Sequence, residues 1–174
     1  MIERRHSDIG QDSHAIFSDC EKYRYWLSRT WDTEAPSITY LMLNPSTANE
    51  MVNDPTIERC QRRAINAGYG RMVIVNLFPI RMTDSKLLVT VKDVLLGDPQ
   101  VALDFVLKAV EESAITVCGW GEHKLAGEHA KYLMSEIDGR NLSGRLMCLK
   151  KNKDGSPQHP LYLSYALQPI PFEV

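Results

Sequence analysis

ITYLMLNPST, residues 38–47, decides how this chain is read. Six uncharged, mostly apolar positions run straight into Asn44, Pro45, Ser46 and Thr47. A run of that length bounded by turn-forming residues is the pattern of a strand buried on both faces. Three further runs repeat it at residues 72–75, 115–118 and 146–149. Between the runs lie segments with readable helical starts. Asp54-Pro55 sets a capping carboxylate before a proline at the first helical position, and Ile57, Cys60 and Ala64 then share one face. Asp98-Pro99 repeats the device before a helix whose apolar positions from Val101 to Val110 cover most of its circumference. A third helix is predicted over residues 124–137, ending at Asp138-Gly139.

Alternation of strand and helix predicts an α/β fold, a three-layer α/β/α arrangement around a mostly parallel four-stranded central sheet. Residues 14–31, HAIFSDCEKYRYWLSRTW, alternate apolar and polar side chains on either side of a Ser18-Asp19 corner. That period predicts an added N-terminal β-hairpin, with Tyr23, Tyr25, Trp26 and Trp31 as its packing residues. No repeat, low-complexity stretch or linker interrupts residues 1–174, so a single domain is expected.

The 174 residues are 44% hydrophobic, enough to bury a sheet between helical layers. A net charge of −2 and a pI of about 6.2 leave no global basic field, so any nucleic-acid contact has to be local. The N-terminus MIERRHSDIG lacks an apolar leader, and no apolar run approaches the roughly 20 residues that span a bilayer; a cytoplasmic protein without membrane contact is expected. Cys20, Cys60, Cys118 and Cys148 stand alone, which suits buried, reduced core thiols better than an iron-sulfur site. His123 and His129, six apart, fall on different faces of a helix and make no metal pair.

In sheets of this kind ligands bind outside the carboxyl ends of the strands, so functional residues should follow each run. Asn44, Pro45, Ser46 and Thr47 follow the first; Asn76, Leu77, Phe78 and Pro79 the second; Gly119, Trp120 and Gly121 the third; and GSPQHPLYLS, with His159, Pro160 and Tyr162, lies beyond the fourth. Each has a plainer role beside the functional one. Asn44-Pro45-Ser46 is also a turn former, Trp120 is also a core residue, and His159 is also a structural histidine. A polar amide ending a buried strand, as Asn76 does, has to find partners, which favours a lined cleft. Asp54 reads first as a helix cap and second as an alternative general base. Arg81, Lys151 and Lys153 lie near the expected mouth, as phosphate-binding residues or as a solvated surface.

The order of these four sites resembles the uracil-DNA glycosylase superfamily, in which the first strand ends in a GQDPY or GINPG motif, a later one in LLLN, another in LWG, and an HPSPLS loop follows the last. MLNPS, VIVN, CGWG and HPLYLS are similar to these in the same order, over residues 38–164. The combination LNPSTA, DPTI, NLFP and HPLY is similar, more closely, to a bacterial and phage family defined as a domain of unknown function. The superfamily resemblance implies that Asn44 holds the attacking water, where the most active branch has Asp. It implies that Asn76 pairs with the edge of a flipped base and that His159 stabilises negative charge on the departing base. Ser46 and Thr47 occupy the place of the aromatic that stacks on the base, which leaves Phe78 for that task, with Pro45, Ser46 and Trp120 completing the base site. Leu161-Tyr162 replaces the family's Ser-Pro, and Tyr162 is the wedge candidate. The implied activity is hydrolysis of an N-glycosidic bond, releasing a uracil-like or modified base from single- or double-stranded DNA without metal or organic cofactor. Two rival readings are a non-catalytic module that binds a nucleobase or nucleotide, and a hydrolase of free nucleosides or nucleotides.

Overall fold

A computed structural model describes residues 1–91 and 99–173; the capping position expected at Asp98 lies outside the described residues. Among the described residues eight strands form one sheet: β1 (Ile2–Asp8), β2 (Gln11–Phe17), β3 (Arg24–Thr30), β4 (Ser37–Met42), β5 (Arg71–Asn76), β6 (Ile115–Cys118), β7 (Leu146–Cys148) and β8 (Ile170–Pro171). Three α-helices accompany them, α1 (Pro55–Asn66), α2 (Pro99–Glu112) and α3 (Ala126–Asp138). The spatial order is β1-β2-β3-β5-β4-β6-β7-β8. The pairs β5-β4, β4-β6 and β6-β7 are parallel, and the other four pairings are antiparallel.

This corrects the expected mostly parallel four-stranded sheet with a separate hairpin. The sheet is mixed and twice as wide, because β3 docks antiparallel on β5, with Leu27 opposite Ile74 and Ser28 opposite Val73. The hairpin strands therefore continue the sheet. β1 was hidden in the sequence because IERRHSD has no apolar run; it is an edge strand whose alternate residues face solvent.

The central runs are nearly continuous in apolar residues because successive side chains enter two different cores. Ile38, Tyr40 and Met42 of β4 join Ile57, Cys60 and Ala64 of α1 on one face. Leu41 and Leu43 join Leu107, Val110, Leu133 and Ile137 of α2 and α3 on the other. A buried Leu or Ile stabilises such a layer by roughly 1.5–3 kcal/mol. Trp26 stands opposite Ile16 in the β2–β3 hairpin, and Tyr25 and Trp26 also pack on Phe105 of α2, with ring centroids 6.0 and 6.1 Å apart. Cys60, Cys118 and Cys148 are buried thiols, whereas Cys20 is exposed, against expectation. No helix among the described residues is long and apolar enough to cross a membrane.

Candidate active site

Because β4, β5, β6 and β7 run parallel, the segments that follow them emerge on one edge of the sheet. There they enclose a cavity of about 560 Å³ lined by Asn44, Ser46, Thr47, Asp54, Trp120 and His159, with Arg24 and His123 also in its wall and Tyr162 on its rim. A cavity of that size suits a small organic ligand.

The loop from Asn44 to Asp54 is held from behind by two buried arginines of β3. Arg24 Nη1 donates to Ala48 O at 2.9 Å. Arg29 Nη2 donates to Asn49 O and, at 3.0 Å, to Asn53 Oδ1. Asn49 Oδ1 accepts from the amides of Met51 and Val52, closing the turn locally.

Asn44 is oriented by its neighbours. Its Nδ2 donates to Pro45 O at 2.9 Å and to Met82 O at 2.7 Å, two carbonyl oxygens that only the NH2 side of the amide can meet. Oδ1 is left as an acceptor for a ligand or water. Buried Pro45 serves through its carbonyl, which also accepts from Met82 N–H at 2.8 Å and so joins the loops after β4 and β5. Asp54 is the cap of α1: its Oδ1 accepts from Thr56 N–H and Ile57 N–H, each at 3.0 Å. The cap and the cavity share this carboxylate, since Asp54 also lines the wall.

His159 begins the short helical turn Pro160–Tyr162, and its Nδ1 accepts from Leu161 N–H at 3.3 Å. That bond fixes the neutral tautomer with the proton on Nε2. Burial holds the imidazole pKa below its usual value, with Asp54 pulling weakly the other way, so the ring is neutral at pH 7 and offers an Nε2–H donor. The Gly-Trp-Gly segment sets where it sits. A Cβ on Gly119 would lie 2.9 Å from Pro160 Cδ, and Gly121 takes φ +74°, a left-handed conformation that strains any other residue, beside the His159 side chain. From the other side, Arg59 and Arg63 of α1 donate to Leu163 O at 2.6 and 3.2 Å, fastening the same loop. Trp120 is both core and wall: it is buried, makes a T-shaped contact with Phe172 at 5.4 Å between centroids, and lines the cavity.

Two expected base-binding residues are elsewhere. Asn76 is buried and lines a separate cavity of about 140 Å³ with His129 and Leu133. Its link to the main cavity is Arg24, whose Nη2 donates to Asn76 Oδ1 at 3.4 Å. Phe78 is in the core, stacked on His129 at 5.1 Å. Its amide continues the β4 ladder by donating to Leu43 O, which turns the ring inward. Of the expected phosphate contacts, Arg81 is turned away, over the Phe17 ring at 5.1 Å and donating to Glu21 O. Lys153 is exposed, as is Lys151, whose ammonium lies 5.1 Å from the Phe172 ring centroid beside a cleft that shares Trp120, Gly121 and His123 with the main cavity.

The sequence reading missed Arg24 and His123 as wall residues. His123 Nδ1 accepts from Leu125 N–H and its Nε2 donates to Ser85 O at 3.1 Å, so it pins the segment after β5 to the start of α3. Arg24 carried one usable signal: it is a lone cation in the buried stretch RYWL. Among the described residues no three His, Cys, Asp or Glu side chains gather to hold a metal ion.

A family model described as "Protein of unknown function (DUF1643)" matches residues 24–161, most of the chain, and the chain belongs to that family. The match runs from Arg24 to Leu161 and so contains every residue of the cavity wall except Tyr162. Comparison with curated proteins finds no match.

Proposed function

We propose that this protein hydrolyses an N-glycosidic bond, releasing a uracil-like or modified base from DNA in the cytoplasm. The observation that carries the reading is the meeting of Asn44, Asp54 and His159 on one cavity, with complementary capacities. Asn44 Oδ1 accepts a hydrogen bond and so orients a water, but an amide is no base. Asp54 Oδ2, the oxygen not engaged in capping α1, takes the proton of that water. The water oxygen bonds to the anomeric carbon, the C–N bond breaks, and its electron pair leaves on the base. His159 Nε2–H donates to the base as negative charge develops, as an oxyanion hole does. Resemblance of MLNPS, CGWG and HPLYLS to the uracil-DNA glycosylase superfamily supports the roles of Asn44 and His159. A base reaching this cavity from a duplex has to be extruded past Tyr162, which is 87% exposed on the rim, and the exposed Lys151 and Lys153 are the proposed phosphate contacts.

The test is base release from single- and double-stranded oligonucleotides carrying uracil, mismatched bases and hydroxymethylated pyrimidines. Release that Asn44→Ala and His159→Ala both abolish is expected. Binding of bases without release by the wild type would instead identify a recognition module, a reading that the amide at position 44 favours. Loss of affinity with rising salt separates a DNA ligand from a free nucleoside, because each phosphate contact steepens the salt slope.

A further inference from the structure

We infer that Arg24 touches the substrate and restricts it to bases whose inserted edge carries an oxo group, excluding those that present an amino group there. This inference rests on the base-binding reading of the cavity. Arg24 is held by β3, is 2% exposed, and lines the same wall as Asn44, Asp54 and His159. Its hydrogen bonding is incomplete: Nη1 donates to Ala48 O, Nη2 makes a long 3.4 Å contact to Asn76, and Nε is buried without a partner among the described residues. It makes no ion pair among the described residues, and Asp54 acts on it only at longer range. Burial lowers its pKa to about 9, which still leaves it a cation at neutral pH.

Loop clamping alone does not account for this residue. Arg29, on the same strand, already binds Asn49 O and Asn53 Oδ1 and does not line the cavity. A buried cation whose protein partners are two neutral oxygens is incomplete until a ligand supplies a further acceptor. A guanidinium only donates, so that acceptor is an oxygen or ring nitrogen; the amino group of a cytosine or adenine would set donor against donor. When the glycosidic bond of a uracil-like base breaks, the charge left on N1 is delocalised onto its oxo oxygens. Arg24 and the Nε2–H of His159 then supply two donors to one developing anion.

The test compares binding of free uracil and 5-hydroxymethyluracil with binding of cytosine and 5-hydroxymethylcytosine to the full chain by ligand-observed NMR. Wild type, Arg24→Lys and Arg24→Gln are compared, with amide spectra as the folding check. The wild type is expected to favour the oxo bases by at least about tenfold. Gln can turn an acceptor toward an amino group, so Arg24→Gln should bring the ratio close to one. Arg24→Lys should keep the preference with weaker binding. Equal wild-type binding of uracil and cytosine overturns the inference and leaves the base site standing, as does an unchanged ratio in a folded Arg24→Gln. If Arg24→Gln fails to fold, the wild-type ratio together with Arg24→Lys decides. Failure of every base to bind overturns both the inference and the base-site reading.

Discussion

Replacing Gly119 by Ala probes how His159 is positioned. The new methyl would lie 2.9 Å from Pro160 Cδ, at least half an ångström inside ordinary carbon–carbon contact, and the proline ring cannot rotate away. Gly119 N–H also donates to Leu41 O at 2.9 Å, which ties its backbone to β4, so the loop carrying Pro160 is the part that yields. Overpacking of this kind costs about 1–3 kcal/mol, or roughly 2–12 °C of thermal midpoint in a chain of this size. Because Pro160 follows His159 directly, the imidazole moves with it, and misplacement approaching 1 Å costs about 100-fold in rate. Thermal melting and base release are the paired assays. Gly127→Ala is the control: a Cβ there meets nothing within 4 Å, and its stability should be unchanged or slightly raised. Wild-type melting and wild-type rate in Gly119→Ala would refute the claim that backbone approach sets His159.

Asp54 separates capping from chemistry. Asp54→Asn retains a capping oxygen and should melt within about 0.5 kcal/mol of wild type while losing base release, whereas Asp54→Ala should lose about 0.5–2 kcal/mol as well. Arg29→Met leaves Asn49 O and Asn53 Oδ1 without their donor; a loss of about 1–3 kcal/mol by urea denaturation, with new proteolytic cleavage within residues 44–54, is the expected result. Burial lowers the folded pKa of His14, His129 and His159 below the unfolded value near 6.5. The unfolded chain therefore binds more protons, so stability is full above about pH 6.5 and falls as pH drops through the folded values; denaturant midpoints from pH 8 to 5 read this slope, and a flat profile would contradict it. Long-range ¹⁵N spectra of His159 should report Nε2 protonated and Nδ1 bare at pH 7, and the opposite tautomer would remove its proposed donor.

Much of the site is a property of local sequence. The apolar runs of β4, β5, β6 and β7 are readable because alternate side chains feed two cores, and their ends are readable because Asn44-Pro45-Ser46 and Gly119-Trp120-Gly121 are turn chemistry. The cap at Asp54 follows from a carboxylate before a proline. Placing Asn44 and Trp120 just past strand ends, and His159 in the loop beyond β7, needed nothing else. What tertiary structure alone decided is which strand edges meet and which way a strand-end side chain finally turns. Backbone edges carry no side-chain signature, so the docking of β3 on β5 and the addition of β1 left no periodic trace in the sequence. That docking places Arg24 in the cavity wall, in contact with Asn76, which faces a separate cavity. The continued β4–β5 ladder likewise turns Phe78 onto His129. Side-chain spacing along one strand records which residues are buried, but not which neighbour buries them: Arg24 and Asn76 stand 52 residues apart, and only the folded chain brings the two together.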